Sequence, residues 1–148
     1  MNTRYPMGPP PPFAVQRIVF LALLLGPTMF AVVAGVVLQT NDGKGLSEEP
    51  LEILDTVSIA LGAAAAIGAF AARAALRKLA AGKQGDERKR AMFTSRLVPL
   101  AILEGASLFG IVIWMLNGNA VPPLAVAMVV LAIAIAITPF SDPDAGVR

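Results

Sequence analysis

The sequence predicts an all-α integral membrane protein, a four-helix bundle built from two parallel-repeat helical hairpins. Three observations lead there. Hydrophobic residues make up 56% of the 148 and charged residues only 15%, a balance far from that of a soluble domain of this length. The apolar residues gather in four runs, each near the ~20 residues that span ~30 Å of hydrocarbon as a helix. None of the runs alternates as a barrel strand does, so each must satisfy its backbone hydrogen bonds internally.

Residues 1–13 contain the proline run 9–12 and read as a disordered or polyproline tail. The first span, 18–38, is too long for a signal-peptide core and stays apolar past the small residues Ala31 to Gly35, so it reads as a retained anchor. Asn41-Asp42-Gly43 is a turn signal, and Ser47-Glu48-Glu49-Pro50 is a helix start with a cap, first-turn acids and an early proline. The second span, 56–76, is broken only by Arg73. Along it Ala60, Ala64, Gly68 and Ala72 recur every four residues, a smooth face that allows close helix packing. Residues 77–96 form a basic connection. The third span, 97–116, carries the small residues Gly105 and Gly110, which also suit helix packing. Asn117-Gly118-Asn119 is so short that the fourth span, 120–140, must run antiparallel beside it, with Pro122 and Pro123 tolerated in its first turn. Residues 141–148 are left as a tail.

Charge sets the expected orientation. Eleven of the 12 Lys and Arg precede the first span, lie in or beside the second connection, or end the chain. Lys44 alone falls on the other side, among Asp42, Glu48, Glu49, Glu52 and Asp55. The positive-inside rule then puts both termini and the 77–96 loop in the cytoplasm. That loop is suited to anionic lipid. With Phe93 as its only aromatic it does not suit nucleic acid. The bilayer is the partner implied by composition, together with further copies or a larger membrane complex.

There are no cysteines and no histidines, which removes disulfides, thiolate nucleophiles, imidazole bases and the usual zinc and haem ligands. No phosphate-binding glycine loop, nucleophile elbow or metalloprotease motif occurs either. The expectation is a protein that is not an enzyme and holds no metal or cofactor.

The first and third spans align at an offset of 79. Residues 17–30 (RIVFLALLLGPTMF) match 96–109 (RLVPLAILEGASLF), with Arg17, Gly26 and Phe30 opposite Arg96, Gly105 and Phe109. Both helices would run in the same direction, so the halves read as parallel repeats of a hairpin. Glu104 aligns with Leu25, and only the second half carries the acid.

Glu104 is the one charged residue within 97–116. An ionisable group inside a membrane helix marks an ion or proton site or a buried pair. Holding the carboxyl protonated at pH 7 costs about 3.7 kcal/mol from an ordinary glutamate pKa, and leaving it ionised and unpaired in hydrocarbon costs at least as much. Two main explanations follow. In one, Glu104 is a proton or cation site, with Ser107 one turn on as a hydrogen-bond partner and Ala101, Gly105 and Gly110 leaving room around it. In the other, Arg73 on an antiparallel second span lies near the level of Leu100, about 6 Å along the axis, and the two charges compensate each other. An unpaired structural carboxyl is the third.

Residues 59–70 (IALGAAAAIGAF), the basic loop and 101–112 (AILEGASLFGIV) together resemble the proteolipid hairpin, subunit c, of rotary ATP synthases and V-type ATPases. The similarity covers about 58–116. By that resemblance Glu104 would be the ion carboxylate, and Leu25 would match duplicated proteolipids in which one half lacks the acid. A ring of hairpins would be the assembly. The chain departs from the family in several places: alanines stand where glycines repeat, the loop is longer, Arg73 has no counterpart, and further spans flank the hairpin. Gly105 lacks the hydroxyl of sodium-type versions, which favours the proton. The other function left open is a non-catalytic structural or regulatory subunit of a membrane complex, with Glu104 paired to Arg73.

Overall fold

Each apolar run of the sequence becomes a helix, and flanking residues lengthen the first three. The computed structural model describes residues 11–47 and 52–139. The described helices are α1 (Phe13–Thr40), α2 (Glu52–Ala81), α3 (Gly85–Asn117) and α4 (Pro123–Ile137). The tail before residue 11, all of the 47–50 helix-start signal but Ser47, and the end of the chain from 140 lie outside the described residues.

At 28, 30 and 33 residues, α1, α2 and α3 are each long and apolar enough to cross a membrane. α4 has only 15 residues, about 22 Å at ~1.5 Å per residue, and is shorter than the expected 120–140. Proline trims it at both ends. The pair Pro122-Pro123 delays its start, and Thr138, which precedes Pro139, turns to an extended conformation because the proline ring disfavours helix in the residue before it.

The 77–96 loop is also corrected. Its residues extend α2 to Ala81 and open α3 at Gly85, leaving 82–84 as the connection. Lys, Arg, Glu, Met and Ala are good helix formers, so charge ends the hydrocarbon span without ending the helix. What breaks the chain is glycine: Gly85 has φ +55°, a conformation that other residues rarely adopt. Asp86 and Glu87 in the first turn of α3, and Lys78 in the last turn of α2, match the dipoles of those ends.

α3 touches all three other helices, whereas α1 and α2 do not meet. One buried cluster joins Phe20 and Leu24 of α1, Ala65 and Ala69 of α2, Leu100 and Leu103 of α3, and Val130 and Leu131 of α4. A second cluster joins Ala34, Ile111 and Ala127. α2 buries Ser58, Gly62, Ala65 and Ala69. The expected stripe does not make these contacts: Ala60 and Ala64 are exposed, Ala72 is half-buried, and nothing stands within 4 Å of a Cβ placed on Gly68. The close approach comes at Gly62, which faces Val126 of α4.

The α1–α2 connection closes the end of α3. Asp42 (φ 54°) and Gly43 (φ 75°) turn the chain, and Asn41 Nδ2 donates to the Lys44 carbonyl at 2.8 Å. Beyond the turn, Leu46 N–H donates to Met115 O at 3.1 Å and Ser47 N–H to Leu116 O at 3.0 Å. These are carbonyls that the last turn of a helix leaves without an internal partner. Gly118, left-handed at φ 72°, completes the cap with its N–H on Trp114 O at 2.8 Å. Asn117 Nδ2 donates to Asp55 Oδ1 at 2.9 Å and ties α3 to the start of α2.

Candidate functional site

Glu104 lies near the middle of α3, about 28 Å along the axis from Gly85 and about 20 Å from Asn117 at ~1.5 Å per residue. Its carboxyl points at α1. Oε1 comes to 3.1 Å from where a Cβ on Gly26 would stand, so the bare backbone of Gly26 is what makes room for it. α1 bends its rules here too. Pro27 follows directly, buried inside the helix, and its missing N–H leaves the Leu23 carbonyl without a partner four residues on. Thr28 turns its hydroxyl onto Leu24 O at 3.0 Å.

The carboxyl is only partly buried, because α1 and α2 leave the face of α3 between them uncovered. Ala101 and Gly105 are exposed on that face, and nothing stands within 4 Å of a Cβ on Gly105. Glu104 therefore sits where the α1–α3 contact meets an open groove with small residues beside it.

The other expected members of the site are placed elsewhere. Ser107 is buried and donates its hydroxyl to Ala127 O of α4 at 3.2 Å, so it serves the α3–α4 contact and not the carboxyl. Gly110 lies on that same side, with a Cβ position 2.8 Å from Pro123 O and 3.1 Å from Ala127 Cβ. Arg73 forms no ion pair with Glu104 among the described residues. The register explains why. With the turn at 82–84, Arg73 is ten residues before Lys83 and comes level with Phe93, ten residues after it. Glu104 is eleven residues deeper, about 16 Å along the axis at ~1.5 Å per residue. A loop of 77–96 would have brought Arg73 level with Leu100; the helical ends removed that proximity. The charges near Arg73 are Arg77 and Arg96.

Gly26 was visible in the sequence only as the mate of Gly105 in the offset of 79. The two lie at similar depth, yet one faces the carboxyl of Glu104 and the other faces outward. α4 also has half the length of α2, with 15 residues against 30. At these positions the aligned residues do not have matching surroundings.

Among the described residues these features make an all-helical protein with three helices long and apolar enough to cross a membrane and a carboxyl in the middle of its central helix. No protein-family model, no curated protein and no solved structure matches the chain.

Proposed function

We propose that this chain is a small polytopic membrane protein, proteolipid-like in its α2–α3 hairpin, that binds protons through Glu104. One observation carries the reading: among the described residues the carboxyl has no cation partner and no hydrogen-bond donor, although it stands halfway along a helix long enough to span a bilayer. With no cation of the chain to balance it, the carboxyl changes charge only by exchanging a proton or taking up an ion. The uncovered face beside Ala101 and Gly105 supplies access, and Gly26 supplies the space. In this reading α1, α2, α3 and α4 all cross the bilayer, and both termini and the α2–α3 turn lie in the cytoplasm with eleven of the 12 basic residues.

Modification by a hydrophobic carbodiimide tests the proposal, since the reagent partitions into lipid and reacts with the protonated acid. In the reconstituted protein a single adduct on Glu104 is expected, diminishing as the pH is raised and absent in Glu104→Gln. Modification confined to acids outside the spans, with Glu104 unreactive at every pH, would overturn it.

A second reading has its own support. The exposed faces of α2 at Ala60 and Ala64 and of α3 at Ala101 and Gly105 suit docking of further helices, as in a non-catalytic subunit of a larger complex. Oligomeric state separates the two. A closed ring of many copies fits the proteolipid-like reading, and an asymmetric complex with other chains fits the subunit.

A further inference from the structure

Ile59, Gly62, Ala66, Arg73 and Arg77 follow one another at three-, four- and seven-residue steps and so share one face of α2. The apolar part of this face meets α4 across a groove of about 430 Å³, lined by Ile59, Gly62, Ala66, Val126, Val129 and Ile133. The contact of Gly62 with Val126 sets the register of the two helices. α2 and α4 run in the same direction, and eleven residues beyond that contact Ile137, the last residue of α4, comes level with Arg73. α4 stops there because Thr138 precedes Pro139. By this register Arg73 and Arg77 follow the groove along the same face of α2, at and beyond the level where the helix that forms its second wall ends.

Three guanidinium groups gather at that level. Arg73 and Arg77 come from α2 and Arg96 from α3, and Arg77 and Arg96 each lie within electrostatic reach of Arg73. Arg73 and Arg96 are half-buried, Arg77 is exposed, and none of the three has an ion-pair partner among the described residues. Arginine does not lose its proton in proteins, so the cluster keeps its charge and calls for an anion. Its planar fork matches phosphate oxygens two at a time. Charge alone would take any phosphate. An apolar groove on the same face of α2, ending short of the charge, selects a molecule that has a phosphate at one end and a hydrocarbon chain at the other.

We propose that the α2–α4 groove and the arginines at its end bind one anionic glycerophospholipid of the leaflet on the side of the α2–α3 turn. Its phosphate rests on Arg73, Arg77 and Arg96, and one acyl chain lies between α2 and α4.

Native mass spectrometry of the full chain, released from micelles containing phosphatidylglycerol and phosphatidylcholine of equal chain length, tests this. One phosphatidylglycerol per chain is expected to be retained in preference to phosphatidylcholine. Arg77→Gln removes an exposed side chain and should lower that retention about fivefold, the equivalent of about 1 kcal/mol for one basic residue at a membrane surface. Combining Arg73→Gln with Arg96→Gln should bring it down to the level of phosphatidylcholine. The pair Lys78→Gln and Lys83→Gln removes two exposed charges away from the groove and should leave retention unchanged. Ala66→Phe fills the groove and should reduce retention with every arginine in place. Equal retention of the two lipids, or an equal loss in the lysine pair, would overturn the site. Displacement of the lipid by inorganic phosphate would assign the arginines to a free anion and overturn it as well.

Discussion

Gly110→Val is expected to loosen the α3–α4 hairpin by about 3 kcal/mol, the upper part of the usual cost of overpacking. The first added carbon would stand 2.8 Å from Pro123 O and 3.1 Å from Ala127 Cβ. Pro123 O belongs to the backbone at the start of α4, so no side chain can swing away to admit the new atoms. α4 has to move as a body, and with it goes the bond from Ser107 to Ala127 O, itself worth about 1 kcal/mol. Gly105→Val is the internal comparison. It lies five residues away on the same helix with nothing within 4 Å of its Cβ position, and the change should cost less than about 1 kcal/mol. Unfolding in mixed micelles, followed by far-ultraviolet circular dichroism, measures both; equal losses would show that α4 does not pack on α3 as described.

Gly45→Ala should be nearly as costly, for a different reason. A Cβ there would run into Leu116 O and crowd the Asn117 carbonyl carbon and the Gly118 nitrogen. The connection must then lift off the end of α3. Two bonds are lost with it, Leu46 N–H to Met115 O and Ser47 N–H to Leu116 O, at about 1 kcal/mol each. A total of about 2 to 3 kcal/mol is expected, with faster amide exchange at Leu46 and Ser47 as the local sign. Gly43→Ala meets open space and only opposes a positive φ, so its cost stays near the ~1 kcal/mol of left-handed strain. Unchanged exchange at Leu46 and Ser47 in Gly45→Ala would contradict the contact.

The helices were legible in the sequence because lipid leaves a chain few choices. Composition gave the class, and apolar length located each helix. Their ends were harder to read. Hydropathy falls at Arg77, but Lys, Arg, Glu and Ala continue a helix in water as well as in lipid, so the turn was hidden in a basic stretch and betrayed only by Gly82 and Gly85. That shift of a few residues moved Arg73 from the level of Leu100 to that of Phe93, enough to separate it from Glu104. The packed face of α2 was illegible for another reason. Gly62, Ala63, Ala64, Ala65, Ala66, Gly68 and Ala69 make nearly every face small, so a four-residue recurrence of small residues could be drawn on several of them. The structure uses the face of Ser58, Gly62, Ala65 and Ala69, which packs on α3 and meets α4 at Gly62. Glu104 stood out as a lone acid, whereas its neighbour Gly26 could be found only once α1 was laid beside α3.

Glu104 stands apart from Arg73, and a double-mutant cycle of Glu104→Gln and Arg73→Gln on stability in bilayers or mixed micelles reads that separation. Two side chains about 16 Å apart along the helix axis, with no shared partner, should give effects that add to within about 0.5 kcal/mol. A coupling of about 3 kcal/mol or more, with the double variant regaining most of what either single variant loses, would mean that the two charges neutralise each other and that Glu104 is no free proton site.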